Sequence, residues 1–238
     1  MLSLIKLKEL ALDVLFPPLC LNCNRLLKNQ EKDNGICDAC FAKISVHTAL
    51  FCPVCRARLP ENKKICHQSS SYRLGAAANY DEPLKTLIHR FKYHSWSRLQ
   101  KPIAKILENY LKNLNLELKG GWLIIPIPLH KNRERTRGFN QAGIIGKIAA
   151  DYFRLPYEDR ILSRSKKTQT QAELKNWDQR KENLSGAFAV SNAEQIKNKN
   201  IVLVDDVYTS GATINEAVKV LRSAGAKKIL AIVLAKAK

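Results

Sequence analysis

Two adjacent carboxylates, Asp205 and Asp206, follow an apolar run at residues 201–204 and precede Thr209, Ser210, Gly211, Ala212 and Thr213. An apolar strand that ends in acids, a short hydroxyl-rich loop and then a helix can hold a phosphorylated sugar. The carboxylates suit ribose hydroxyls, Mg2+, or both. The loop's N–H groups and hydroxyls, at a helix N-terminus, suit an anion. Ligands of parallel α/β sheets bind at the carboxyl ends of strands, which is where this loop falls. Gly211 permits a backbone conformation and a close approach that a Cβ would hinder. Thr213 is the expected helix N-cap. The bland alternative is a strand–turn–helix junction with no ligand.

A second chemistry lies in the cysteines. All seven fall between Cys20 and Cys66. Cys20 and Cys23 form one two-residue-spaced pair, and Cys37 and Cys40 another. Two such pairs bring four thiolates onto one tetrahedral zinc, a structural site with no open position for catalysis. Cys52, Cys55 and the lone Cys66 are candidates for a second site, which lacks a cysteine at residue 69 because that residue is serine. His67 could stand in, although adjacent residues seldom both reach one metal. A disulfide framework is the alternative. The N-terminal stretch is interrupted by Lys6, Lys8, Glu9 and Asp13 and shows no small-residue cleavage site, so it does not read as a signal peptide. The expected compartment is therefore the reducing cytoplasm, which disfavours disulfides.

A third set of residues is cationic. Pro126 and Pro128 end an apolar strand, and Arg133, Arg135 and Arg137 follow. Guanidinium groups suit bidentate phosphate contacts, whether to pyrophosphate or to nucleic acid; a solvated charged loop is the alternative. From Pro83 to Leu107 no acid occurs, while Lys85, Arg90, Lys92, Arg98, Lys101 and Lys105 interleave with His89, Phe91, Tyr93, His94 and Trp96. Cations for phosphates and rings for bases make Arg90, Lys92, Tyr93 and Trp96 candidates for single-stranded nucleic acid. Against that, Phe91 continues the apolar face of Leu84, Leu87 and Ile88, a core pattern. The net charge of +19 favours polyanions in general and localises nothing. No run of about 18 apolar residues occurs, which excludes a spanning helix.

The segment from Asp205 to Thr213 resembles the phosphoribosyl pyrophosphate (PRPP) loop of type I phosphoribosyltransferases. The cysteine pairs, the run from Leu87 to Lys92, Pro126-Ile-Pro128, the run from Arg137 to Gln141, and Asp205-Asp-Val207 follow in that order. Together they resemble the ComF family, linked to natural competence and DNA uptake, over nearly the whole chain from about Leu15 to Ala235. Thr170 to Leu174, Arg180, Asn183 and Gly186 to Phe188 add to the likeness. Ser69 departs from it, where longer members carry an eighth cysteine. The resemblance implies an α/β fold: a type I phosphoribosyltransferase-like parallel sheet flanked by helices, with a small N-terminal zinc-ribbon-like domain. It implies Asp205 and Asp206 on the ribose diol as the catalytic pair. Thr209 to Thr213 and Arg137 would grip PRPP with Mg2+, and zinc would be structural. Arg133 and Arg135 join the nucleic-acid candidates. Implied partners are single-stranded DNA, PRPP and a competence helicase or other DNA-uptake protein, with at most peripheral association at the inner face of the membrane. The alternative is an active phosphoribosyltransferase of nucleotide salvage or modification with an unidentified acceptor.

These residues need elements to position them. The change in composition places a boundary near residue 72, giving domains 1–72 and 73–238. Strands are expected at 74–80, 122–127, 201–204 and 229–235, and helices at 82–93, 102–111 and 215–224. Strands alternating with helices argue a parallel sheet. Leu4, Leu7, Ala11, Val14 and Leu15 lie on one face of an N-terminal helix, expected to dock on the protein's own core, with a membrane surface as the alternative. An acceptor-binding hood is expected within 153–195, where no base-reading pattern is visible.

Overall fold

The computed structural model describes residues 13–59, 66–67, 70–93, 96–164 and 186–237, with the backbone alone at 93 and 96–98. Two compact units form: Met1–Ser45 with Asp81–Pro102, and Val46–Tyr80 with Ile103–Lys238. They interleave along the sequence.

The larger unit is built on a five-stranded sheet. Its strands are β1 (Leu50–Phe51), β2 (Arg73–Asn79), β3 (Trp122–Pro126), β6 (Asn200–Tyr208) and β7 (Lys228–Lys236). Their order is β1-β2-β7-β6-β3, all parallel except β1, which runs antiparallel to β2. A separate antiparallel pair joins β4 (Leu162–Arg164) to β5 (Phe188–Val190). Ile201 to Val204 and Ile229 to Ala235 are buried at every position. Such unbroken apolar runs belong to strands covered on both faces, as in parallel sheets. Helix α4 (Gln141–Phe153) packs on β3 and β6, and α5 (Ala212–Ser223) packs on β5 and β6.

The smaller unit holds two single-turn helices, Asn29–Lys32 and Asp38–Phe41, and helix α1 (Leu84–Tyr93). Leu84, Leu87, Ile88 and Phe91 are buried on α1, while Lys85, His89 and Arg90 face solvent. Phe91 is therefore core. Glu31 is a buried carboxylate, satisfied by Arg25 at 2.7 Å and by the amides of Lys28 (2.8 Å) and Asp38 (2.9 Å). The Asp38 and Lys28 amides, with Arg25, hold its carboxyl below the usual range. A buried charge is tolerable only with such partners.

Helix α2 (Trp96–Leu114) starts six residues before the expected 102, with Pro102 inside it. An interior proline costs a hydrogen bond and about 3 kcal/mol. The apolar face running from Leu99 through Ile103, Ile106 and Leu107 to Tyr110 is buried throughout and outweighs that cost. At the N-terminus, residues 1–12 lie outside the described part. Val14 and Leu15, expected to dock on the protein's own core, are instead 78% and 71% exposed. That turn is tethered by its polar side, through an ion pair between Asp13 and Lys32. Among the described residues no helix is long and apolar enough to cross a membrane.

Candidate functional site

Strand β6 runs four residues beyond the expected 204. Asp205, Val207 and Tyr208 pair with Val233, Ala235 and Lys236, because β7 extends far enough to supply a ladder partner. The acidic pair therefore lies within the strand's last turns of pleat rather than after it. Both carboxylates are half-buried, and the Asp206 amide donates to Asp205 Oδ1 at 2.8 Å. Two oxygen donors of this kind suit Mg2+.

Beyond Tyr208 the chain turns through Thr209 and Ser210 to Gly211, whose φ of 82° is left-handed. Helix α5 begins at Ala212, three residues earlier than expected, so Thr213 sits inside the first turn and is not the N-cap. Gly211 takes that place, and its carbonyl accepts from the Asn215 amide at 2.8 Å. Ser210 Oγ accepts from the Ala212 amide at 3.4 Å. The Tyr208 ring folds beneath the turn, and a Cβ on Gly211 would overlap the Tyr208 hydroxyl. That hydroxyl donates to the Pro53 carbonyl at 3.0 Å and lies 3.2 Å from the Tyr72 hydroxyl, which donates to Asn215 Oδ1 at 2.7 Å. Burial pushes both phenols up.

The arginine segment is not the expected loop. Lys131–Arg137 forms helix α3, capped by His130, whose Nδ1 accepts from the Asn132 amide at 3.2 Å, and closed by Gly138 at φ 78°. A capping group at one end and a left-handed glycine at the other suffice for a short helix. Arg133 and Arg137 are half-buried and Arg135 is exposed. Arg137 donates to Gln141 Oε1 at 3.3 Å. Asn140 fixes the approach to α4, donating to the Ile127 carbonyl at 3.0 Å and accepting from the Ala142 amide at 3.1 Å.

Arg164, at the end of β4, escaped sequence reasoning, since a single arginine closing an apolar strand marks nothing. Its guanidinium lies over the Phe188 ring, 5.4 Å from the centroid. Burial depresses it to about 10; the charge of Arg133 adds to the depression and that of Asp205 opposes it. One electrostatic neighbourhood thus holds Asp205, Arg133 and Arg164. Thr170 to Leu174, Arg180 and Asn183 lie outside the described residues. Of the hood region, the described part supplies the end of α4 and the β4–β5 pair.

The cysteines gather into two sets. The ligand atoms of Cys20, Cys23, Cys37 and Cys40 lie within 4.8 Å of one another, as do those of Cys52, Cys55, Cys66 and His67. Cys23 Sγ and Cys37 Sγ are 3.8 Å apart. A tetrahedron with Zn–S bonds of about 2.3 Å has an edge of about 3.8 Å, so the first set fits zinc. In the second, Cys55 and Cys66 Sγ are 3.3 Å apart, and His67 Nδ1 lies 3.5 Å from Cys52 Sγ and 3.2 Å from Cys66 Sγ. Adjacent Cys66 and His67 thus do converge on one point, and an imidazole takes the fourth corner. Residue 69 lies outside the described part. Burial opposes ionisation of Cys37 and Cys52, yet both are brought down to about 6: Cys37 by the Cys40 amide and Arg25, Cys52 by the Cys55 and Val54 amides with Cys66 and His67. Amides aimed at sulfur are what a thiolate ligand needs.

Residues 141–238 match the phosphoribosyl transferase domain family and residues 11–70 the double zinc ribbon domain family. Competence protein F of Haemophilus influenzae is 30% identical over 226 residues, covering 92% of this chain and 96% of that one. The chain belongs to the ComF family. A DNA utilization protein, YhgH of Salmonella typhimurium, is 28% identical, covering 82% of this chain and 87% of its own, and competence protein ComFC of Streptococcus pneumoniae is 28% identical, covering 89% and 84%. The ComF fold is a phosphoribosyltransferase-like sheet with zinc-ribbon cysteines, and its zinc is structural.

The nucleic-acid candidates of this ComF chain divide between the two units. Arg90 and Lys92 sit on α1 in the smaller unit, Arg90 exposed and Lys92 half-buried. Arg133 and Arg135 belong to the larger unit. The side chains of Tyr93 and Trp96, and all of His94, lie outside the described part.

Proposed function

We propose that this ComF protein binds PRPP with Mg2+ at Asp205, Asp206 and the turn from Thr209 to Thr213, and handles single-stranded DNA during competence. The observation that carries the reading is the turn itself. Two carboxylates on a parallel strand lead into a left-handed glycine and a helix N-terminus, in a chain that matches the phosphoribosyl transferase domain family. Asp205 and Asp206 take the ribose diol and Mg2+, and the turn takes the 5′-phosphate. Arg137, which donates to Gln141, is a further PRPP contact. Single-stranded DNA engages Arg90, Lys92, Tyr93 and Trp96 of the smaller unit, and Arg133 and Arg135 are separate candidate contacts on the larger. Two zinc ions per chain complete the inventory, one in each set. The functional boundary stays near residue 72. The protein works in the cytoplasm, and exposed Val14, Leu15 and Phe16 offer an apolar edge for peripheral contact at the membrane's inner face, where a competence helicase or another uptake protein would meet it.

Calorimetry with PRPP, with and without Mg2+, tests the pocket. Binding that requires Mg2+ and weakens about tenfold to a hundredfold in Asp205→Asn/Asp206→Asn supports it, since charge-assisted hydrogen bonds are lost. Unchanged affinity in the variant rejects it.

A second reading, turnover to an unidentified acceptor, is favoured by the grouping of Arg133 and Arg164 with Asp205. Guanidiniums there would take up the charge of leaving pyrophosphate. Release of pyrophosphate from PRPP with a candidate base, lost in Arg164→Ala, separates it from binding alone.

A further inference from the structure

The two cysteine ribbons make the same turn. In the first, the Cys20 amide donates to the Arg25 carbonyl at 2.8 Å and the Asn24 amide to the Cys20 carbonyl at 2.9 Å. In the second, the Cys52 amide donates to the Ala57 carbonyl at 2.9 Å and the Arg56 amide to the Cys52 carbonyl at 2.8 Å. Both turns need a left-handed residue directly after the second cysteine: Asn24 at φ 57° and Arg56 at φ 61°. Asparagine is at ease there; arginine is not, at a cost of about 1–2 kcal/mol. A long side chain at a position that favours asparagine is kept there by the contacts it makes.

Arg56 Nη2 donates to the Thr209 carbonyl at 2.8 Å. The neighbouring Pro53 carbonyl, in the same turn, accepts from the Tyr208 hydroxyl at 3.0 Å. One cysteine turn therefore grips the phosphate loop at two consecutive residues, by the backbone of Thr209 and the side chain of Tyr208. Tyr208 in turn lies beneath Gly211, and through Tyr72 its hydroxyl meets Asn215 in the first turn of α5. All of these residues belong to the larger unit.

We propose that Arg56 is a positioning residue that latches the phosphate loop to the second cysteine ribbon, so that the set of the Thr209–Gly211 turn depends on an intact Cys52–Cys55 turn. The inference rests on the reading of that loop as the PRPP site. When the thiolates and His67 hold their metal, Pro53 and Arg56 are fixed, and the turn is presented in one geometry. When the ribbon opens, both tethers go together and the loop's amides lose their alignment.

The test uses the full-length zinc-loaded protein and three readouts: zinc content, amide hydrogen exchange at residues 209–213, and PRPP affinity in Mg2+ by calorimetry. Arg56→Asn installs the residue that the first ribbon uses. It should keep both the zinc content and the melting temperature, while exchange at 209–213 rises about tenfold and PRPP affinity falls about tenfold. Arg56→Lys, which can still donate to the Thr209 carbonyl, should recover most of both. Cys55→Ser alters an exposed thiol, and should lose one zinc and raise exchange at the same residues. Wild-type exchange at 209–213 in Arg56→Asn overturns the latch. If the wild type binds no PRPP but Arg56→Asn still loosens the loop, the latch stands and the ligand reading fails.

Discussion

The two cysteine ribbons share a turn and a ligand logic, yet they are anchored to different things. The first closes on its own unit: Arg25, just after its turn, pairs with buried Glu31, whose other partners are amides of the same segment. The second reaches into the sheet of the larger unit, with Arg56 bound to Thr209 and Pro53 to Tyr208 at the end of the acidic strand. One motif, repeated, is used once to build a small fold and once to brace the turn that follows the acidic strand. The residue after the second cysteine tells them apart: asparagine where only the turn matters, arginine where a side chain must reach out.

Metal loss should separate the two ribbons most strongly. Cys37→Ser should release one zinc and unfold residues 13–45, because structural zinc supplies about 10–16 kcal/mol in small zinc domains. Cys66→Ser should release the other zinc while the sheet persists, its core resting on apolar strands. Metal analysis with hydrogen exchange distinguishes the two; equal loss of fold in both variants would erase the distinction.

Next comes the apolar support of the smaller unit. Phe91→Ala should cost about 3–5 kcal/mol in denaturant unfolding, as for other buried phenylalanines. A cost below about 1 kcal/mol would remove Phe91 from the core and reopen its stacking role.

Gly211→Ala probes the braced loop from the other side. The left-handed backbone alone costs about 1–2 kcal/mol, and the Cβ must displace the Tyr208 hydroxyl. Global stability should fall modestly while PRPP binding is abolished. Retained affinity, measured by calorimetry, would show that the turn does not touch the ligand.

The smallest effect concerns DNA. Arg90→Ala and Lys92→Ala should each make the slope of log K against log salt shallower by about 0.7 for a single strand, with PRPP affinity unchanged. Trp96→Ala should cost about 1–3 kcal/mol with little change of slope. Identical salt dependence in all variants would reduce the charge of +19 to a non-specific field.

Much of the site could be read in the chain because local chemistry dictates it. Unbroken Ile–Val–Leu runs require strands buried on both faces, and cysteines spaced by two residues require a metal turn. A glycine after Thr209 and Ser210 marks a conformation that other residues resist. These are short-range demands, met by a few consecutive residues. Other features depended on neighbours far along the chain. β6 passes through Asp205 to Tyr208 because β7 continues to Lys236 beside it. Helix α2 absorbs Pro102 because its apolar face is buried from Leu99 onward. His67 joins the second cysteine set because the chain returns it to Cys52, and Arg164 gains its meaning from Asp205 and Arg133. Arg56 and Thr209 are separated by most of the sheet's sequence, and no spacing rule links them. Their hydrogen bond exists because the parallel order of β2, β7 and β6 brings the second ribbon to the end of the acidic strand, and only the tertiary structure could decide that.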